Sequence, residues 1–174
     1  MKSFKTLVCV TSFALCFGAA SMASAASFSP IGAAISANGS ITVKSPSSFQ
    51  QPVTCNILFQ GVVNSDGTAN INSATVSGSN SLCALPKMTN LPWKLSATST
   101  TTGTVTNVGY TIAGAPPIIP ATNCGPTTIT VGLASVAGTP APGTTTISAT
   151  NQTLAGSCTV VSLSVAAPGA VVIP

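Results

Sequence analysis

Residues 55–77 read CNILFQGVVNSDGTANINSATVS, and this stretch decides the fold class. Two segments rich in Ile, Val, Phe and Thr flank the dipeptide Asp66-Gly67. Asp-Gly is a preferred pair for a two-residue hairpin turn, because both central residues of that turn need a positive φ. Such a turn places Phe59 opposite Ala74. The stretch therefore predicts an antiparallel β-hairpin.

The same hairpin suggests how the cysteines pair. Its register extends to Cys55 opposite Gly78, close to the next cysteine, so we expect a Cys55–Cys83 disulfide. A second turn at Pro142-Gly143 would place Cys158 opposite Thr127, near Cys124, and this predicts a Cys124–Cys158 disulfide. Four cysteines allow three pairings, and an exported chain favours bridging all of them.

The two turn regions resemble each other, which suggests an internal duplication. GTANI at residues 67–71 is followed by GTTTI at 143–147, and a cysteine comes 15 or 16 residues after the first Gly of each. Ser/Thr-rich chains produce such short matches by chance, so duplication and its absence both stay open. With duplication, related halves would span about 26–114 and 121–174.

The remainder of the chain has the pattern of short strands. Helix signals are missing, because no long apolar stripe of 3.6-residue period follows the first 25 residues and strong helix formers are nearly absent. The stretch Ala115–Pro120 contains three prolines, so it reads as an extended connection. We predict one all-β domain over 26–174, an antiparallel sandwich or barrel of about eight strands. The predicted strands are 39–45, 53–63, 68–77, 93–101, 103–112, 127–135, 144–150 and 158–166.

Residues 1–25 have the pattern of a cleaved signal peptide. Lys2 and Lys5 precede an apolar run of about 14 residues, which is shorter than the roughly 20 that span a bilayer. Small residues then lead to a predicted cut after Ala25, with Ala26 as the alternative. We therefore expect a secreted or cell-surface protein without a transmembrane anchor.

Composition argues against most catalytic chemistry. The chain has five Lys, no Arg or His and one acidic residue, so only 3% of it is charged. We expect no enzyme, no catalytic residue, no metal site and no cofactor, because these functions draw on His, carboxylate pairs or Arg. None of the lysines lies three residues after a Ser, which excludes an S-x-x-K nucleophile pair. The scarcity of positive charge also predicts no nucleic-acid partner.

Three side chains that could belong to a site are better explained structurally. Asp66 is expected to form a turn rather than to act as a base. Trp93 could be an exposed platform for sugar or lipid, but a lone Trp in an all-β domain is more often part of the core. Tyr110 alternates with Val108 and Ile112, so it is also expected inside.

Several segments together resemble a known family. They are the leader MKSFKTLVCVTSFALCFGAASMASAAS, FSPIGAAISANGSITVKSPSSF at 28–49, PVTCNILFQGVV at 52–63, DGTANINSATVSG at 66–78 and LPWKL at 91–95. The chain is similar to the small exported pseudomonad proteins called protein activators of alkane oxidation, from the leader to at least Cys158. The resemblance implies an exported, non-enzymatic factor that promotes n-alkane use, and it supplies no catalytic motif to carry over.

The sequence and the resemblance lead to two functional hypotheses. In the first, a nearly neutral, Ser/Thr-rich protein adsorbs to hydrophobic interfaces or n-alkane droplets and emulsifies them, with Ala115–Pro120 and the tail Ala166–Pro174 as contact surfaces. In the second, it is a structural or adhesive subunit of a biofilm matrix or cell-surface fibre that self-associates through exposed edge strands.

Overall fold

The computed structural model describes residues 26–138 and 142–174. The predicted signal peptide, residues 1–25, lies outside the described residues. The described chain is almost entirely β-structure, with two short 3-10 helices at Pro46–Ser48 and Ser81–Ala84. The strands are β1 (Ser27–Ser29), β2 (Ala34–Lys44), β3 (Val53–Val63), β4 (Ala69–Ser77), β5 (Lys87–Met88), β6 (Trp93–Ala97), β7 (Thr102–Ile112), β8 (Thr122–Val136), β9 (Thr144–Leu154), β10 (Cys158–Pro168) and β11 (Val171–Ile173).

Eight of these strands form a closed antiparallel barrel. The order around the wall is β2, β3, β4, β6, β7, β8, β9 and β10, and β10 pairs back with β2. Strand β5 adds to β7 beside β6, and β1 pairs with β11 as a separate two-stranded sheet. The all-β prediction is confirmed, and the architecture is a barrel rather than a sandwich.

The eight predicted strands correspond to the eight strands of the wall. Alternation of apolar and polar residues made them recognisable, because each strand has one face in the core and one in solvent. The largest differences are at β2 and β8, each of which begins five residues before its prediction, at Ala34 and not residue 39 and at Thr122 and not residue 127. Strands β1, β5 and β11 were not predicted, since two or three residues carry too little pattern.

The β3–β4 hairpin has the predicted register but not the predicted turn. Phe59 lies opposite Ala74 as expected. The backbone N–H of Asn64 donates to the Thr68 carbonyl at 2.7 Å, so three residues form the turn rather than two. A β-bulge between Gln60 and Gly61 compensates for the extra residue.

The predicted register of the second hairpin is wrong. Leu133 pairs with Ile147, whereas the predicted register would have placed Gln152, five residues further along β9, opposite Leu133. The physical reason is that the connection after Val136 is a long loop, and Cys158 belongs to β10, one strand further around the wall. Residues 139–141 of this loop lie outside the described residues. The internal duplication stays a prediction.

Both predicted disulfides are confirmed. The Cα atoms of Cys55 and Cys83 are 5.7 Å apart, and so are those of Cys124 and Cys158. Because the strands alternate in direction, both bridges lie at the same end of the barrel. We call this the disulfide end. The opposite end, which carries β1 and β11, is the terminal end. Connections 45–52, 78–92, 113–121 and 155–157 form the disulfide end.

Candidate apolar interface and interior cavity

The outer wall of the barrel is polar but nearly uncharged. Ser, Thr, Asn and Gln occupy most solvent-facing strand positions, and cross-strand hydroxyls pair, as in the 2.8 Å contact between Thr42 Oγ1 and Thr54 Oγ1. Lys94 Nζ lies 3.2 Å from Asp66 Oδ2, so part of the small charge is compensated. A wall of this kind is hydrated through hydroxyls and amides rather than through charge.

Large apolar side chains reach solvent at the two ends of the barrel. At the disulfide end Phe49 is 64% exposed, Ile118 is 73% exposed, and Leu85 is also exposed. They come from three different connections of that end. We call these three side chains the apolar rim. Exposed apolar groups gathered from separate loops are a feature of contact surfaces.

The backbone that presents Phe49 is strained. Phe49 and Gln50 have φ values of 50° and 61°, a region that residues with a Cβ adopt rarely. Gln50 holds this conformation with two hydrogen bonds. Its backbone N–H donates to the Ser45 carbonyl at 3.0 Å, and its side-chain Nε2 donates to the Ser157 carbonyl at 3.0 Å. The fold therefore stabilises an arrangement that keeps an aromatic ring in solvent, and such strain is often found where a protein makes contacts.

The loop that carries Ile118 is fixed to the barrel. The Ser47 hydroxyl donates to the Pro120 carbonyl at 2.7 Å, and the Ser47 amide donates to Thr122 Oγ1 at 2.9 Å. Residues 115–118 are exposed, as expected of a contact surface. The predicted extended connection is wrong, because the Ala115 amide donates to the Ile119 carbonyl at 2.8 Å and closes a tight turn. Because the loop is anchored next to the loop of Phe49, the apolar rim is part of the folded structure.

The predicted contact role of the C-terminal tail is contradicted by its burial. Ala167, Ala170 and Val172 are buried against the terminal end of the barrel, and the Thr145 hydroxyl donates to the Ala170 carbonyl at 2.9 Å. The tail is apolar because it closes the core. Within 166–174 only Pro168, Ile173 and Pro174 are exposed.

Asp66, Trp93 and Tyr110 have the structural positions that the sequence predicted. Asp66 Oδ1 accepts from the Thr68 amide at 3.0 Å within the β3–β4 turn. The Thr68 hydroxyl, the Thr68 amide and the Lys94 ammonium, in that order, lower the pKa of Asp66 to about 2. Trp93 is buried edge-to-face against Phe59, and its indole donates to the Thr89 carbonyl at 2.8 Å.

Tyr110 is also buried, but its hydroxyl is not satisfied. The side chain is 7% exposed, and no hydrogen-bond partner for the hydroxyl is found in the part of the chain that the structure describes. Burial raises the pKa of Tyr110, and the nearby Ser45 side chain offsets this only in part, without reaching hydrogen-bonding geometry. The sequence placed Tyr110 in the core but gave no sign of this orphan group.

Inside the wall, the barrel encloses a cavity of about 90 Å³. Its lining is almost wholly aliphatic and aromatic, and hydroxyl groups border it at the disulfide end. Across 26–138 and 142–174 no group of three or more His, Cys, Asp or Glu side chains is placed to hold a metal ion. The sequence did not predict the cavity, because internal volume depends on how eight strands close.

Among the described residues, no helix has the length and apolarity needed to cross a bilayer.

Fold and surface define the class: a small, disulfide-linked antiparallel β-barrel with a neutral polar wall and exposed apolar ends. The entire chain, residues 1–174, matches the family model described as alkane oxidation protein activator PraA/PraB-like, and the protein belongs to that family. No curated protein and no solved structure matches the chain at a significant level. The family's description as an activator fits a non-enzymatic role, and the two disulfides fit the periplasm or the cell exterior.

Proposed function

We propose that the protein is secreted and promotes alkane oxidation by adsorbing, through its apolar rim, at the boundary between alkane and water. Adsorption lowers the tension of that boundary and helps to disperse the alkane. The observation that carries the proposal is the exposure of Phe49, Leu85 and Ile118 at one end of a barrel whose wall is polar and nearly neutral. A barrel with a polar wall and exposed apolar side chains at its ends has the character of an amphiphile, and the apolar rim provides the aromatic side chain of that set.

The energetics support adsorption. Moving one Phe or Ile side chain from water into hydrocarbon is favourable by roughly 1.5–3 kcal/mol. The rim presents three large side chains, while the wall has few charges that must stay hydrated. Low net charge also reduces repulsion between copies packed side by side at an interface.

The first test is drop tensiometry of purified protein at a hexadecane–water interface. We expect micromolar wild-type protein to lower the tension. We expect Ile118→Ser to need roughly tenfold more protein for the same effect, since about 1.4 kcal/mol corresponds to a factor of ten. Ile31→Ser is the matched control, because Ile31 is 63% exposed but lies at the terminal end. A tension unmoved by wild-type protein, or equal losses in both variants, would reject the proposal.

The second test concerns cells. A deletion strain is grown on hexadecane or on a soluble carbon source, with purified protein added back. We expect added wild-type protein to restore growth on hexadecane specifically and Ile118→Ser protein to restore it less. Loss of surface attachment alone, with normal growth on hexadecane, would support the fibre or matrix hypothesis instead.

The fibre or matrix hypothesis depends on free strand edges. Pairing of β7 with β8 and of β10 with β2 closes the wall, so its eight strands offer no long edge within the described residues. No structural observation favours polymerisation through edges, and we do not propose it. Ordered polymers in electron microscopy without oil would restore that hypothesis.

A further inference from the structure

We propose that the barrel interior binds a short linear aliphatic chain with a neutral terminal hydroxyl, the chain lying deep in the cavity and the hydroxyl meeting Tyr110. This site is inside the barrel, whereas the proposed adsorption uses its outside. The two proposals therefore stand or fall separately.

The cavity lining is polar at one end and apolar along the rest, as an aliphatic alcohol requires. Its lining extends from Ser45 and Tyr110 near the disulfide end to Leu95, Val131 and Ile147 toward the terminal end. Leu95 pairs with Ala69, the first residue of β4, and β4 begins at the terminal end. The apolar lining therefore extends close to the terminal end. Eight-stranded barrels are wide enough either to be filled by side chains or to hold one small ligand.

The size limits the ligand. An engineered apolar cavity of about 150 Å³ holds one benzene molecule, so a cavity of about 90 Å³ has room for a chain of about three to five carbon atoms. The deep part is apolar, and an apolar cavity of this kind stays dry. Hydrocarbon would therefore enter without having to displace bound water.

Tyr110 indicates what the polar end of the ligand must be. Tyr110 is among the residues that line the cavity, and its hydroxyl is buried without a hydrogen-bond partner in the described chain. A buried hydroxyl without a partner is costly, and a ligand hydroxyl placed beside it would supply the missing hydrogen bond. Ser45 lines the same end and lies within the same small polar region.

The charge of the lining selects a neutral group. No lysine is among the cavity-lining residues of the described chain. A carboxylate would therefore be buried without a counter-charge, which is strongly unfavourable. An alcohol needs only a hydrogen bond, and this is what Tyr110 offers.

The test uses two probes of equal size, 1-butanol and n-pentane, with methyl-labelled protein followed by NMR. We expect saturable shifts at the methyl groups of Leu95, Val131 and Ile147 with both probes. The methyl groups of Ile31 and Ile118, which report the two outer ends, should not move. Shifts confined to the outer methyl groups, or no saturable shift at all, would overturn the proposal.

Tyr110→Phe tests the role of the hydroxyl. It should weaken 1-butanol binding by roughly two- to tenfold, the value of one hydrogen bond, and leave n-pentane binding unchanged. Equal weakening of both probes would show that Tyr110 acts by packing and would overturn the assignment. So would a crystal structure in which water joins Tyr110 to Ser45 and 1-butanol does not displace it.

Ile118→Ser separates the two proposals. It should impair lowering of interfacial tension while leaving 1-butanol binding in the cavity intact. A failure of tensiometry with normal binding rejects adsorption alone, and normal tensiometry without binding rejects the cavity site alone.

Discussion

Asp66 is the only acidic side chain in the sequence, which makes its role unusually easy to isolate. It lies on the surface in the β3–β4 turn, where Thr68 donates to it and Lys94 is within an ion-pair distance. These partners favour the ionised form, so its folded-state pKa is about 2 instead of 3.8. The carboxylate thus links the stability of the turn to pH.

We expect Asp66→Asn to flatten the acid dependence of thermal stability. Because the pKa of Asp66 is lower in the folded state, its ionised carboxylate stabilises the fold at pH values above the unfolded-state pKa of 3.8. This stabilisation is lost as the pH falls through the folded-state pKa of about 2. Melting temperatures measured by circular dichroism from pH 5 to about pH 2 should fall in wild type and change less in the variant.

Lys94→Gln is the control for this prediction. Lys94 is a smaller cause of the lowered pKa than Thr68, so this variant should keep most of the acid dependence. If Asp66→Asn lost stability as steeply as wild type over the same pH range, the turn would not be the source.

Individual side chains show where sequence reasoning is sufficient. Asp66 and Trp93 were predicted correctly, because a turn residue and a large apolar residue have strong local preferences. The orphan hydroxyl of Tyr110 was not predictable. Its state depends on Ser45, which approaches it from a distant part of the chain.

At the level of elements, the tightest steric requirement among the turns is at Gly156, between β9 and β10. Gly156 has a φ of +72°, and a Cβ there would lie 1.8 Å from the Asn123 carbonyl oxygen. Gly169 also has a positive φ, +84°, but nothing lies within 4 Å of its would-be Cβ. The two glycines therefore separate backbone strain from steric crowding.

We expect Gly156→Ala to destabilise the protein more than Gly169→Ala. Gly169→Ala should cost about 1–2 kcal/mol, the penalty of a left-handed conformation for a residue with a Cβ. Gly156→Ala adds a clash with the backbone of β8, worth roughly 1–3 kcal/mol more. Urea denaturation measures both, and equal losses would mean that β8 moves freely to make room.

The elements also show why strands were easier to predict than registers. Alternating patterns locate a strand, but its partner residues depend on the length and geometry of the turn. In β3–β4 a three-residue turn and a bulge between Gln60 and Gly61 cancel each other, so the predicted pairing was correct with the wrong turn. In β8–β9 nothing cancels the longer loop, and the predicted register was wrong.

At the scale of the whole molecule, closure of the barrel is the feature that the sequence could not supply. Eight strands with one apolar face are compatible with a sandwich or a barrel, and long-range pairing of β10 with β2 decides between them. The apolar rim and the cavity are consequences of closure. A list of strands gives neither, although the sequence correctly indicated that residues 115–118 are exposed.

The two disulfides should supply a large part of the stability of the whole barrel. They join residues separated by 28 and 34 positions, and closing loops of this length is worth roughly 3–4 kcal/mol each on the chain-entropy model. The two loops do not overlap in sequence, so their effects on the unfolded chain should be nearly additive. Their sum is about half or more of the roughly 5–15 kcal/mol that stabilises a typical domain.

We therefore expect removal of Cys55–Cys83 or of Cys124–Cys158 by paired Cys→Ala substitution to lower the free energy of unfolding by about 3–4 kcal/mol. Removal of both should leave the barrel marginally folded at 37 °C. Fluorescence of buried Trp93 during urea denaturation reports the transition. Losses under about 1 kcal/mol per pair would show that strand pairing alone closes the barrel, because the bridges would then add little to a disulfide end already fixed by its hydrogen bonds.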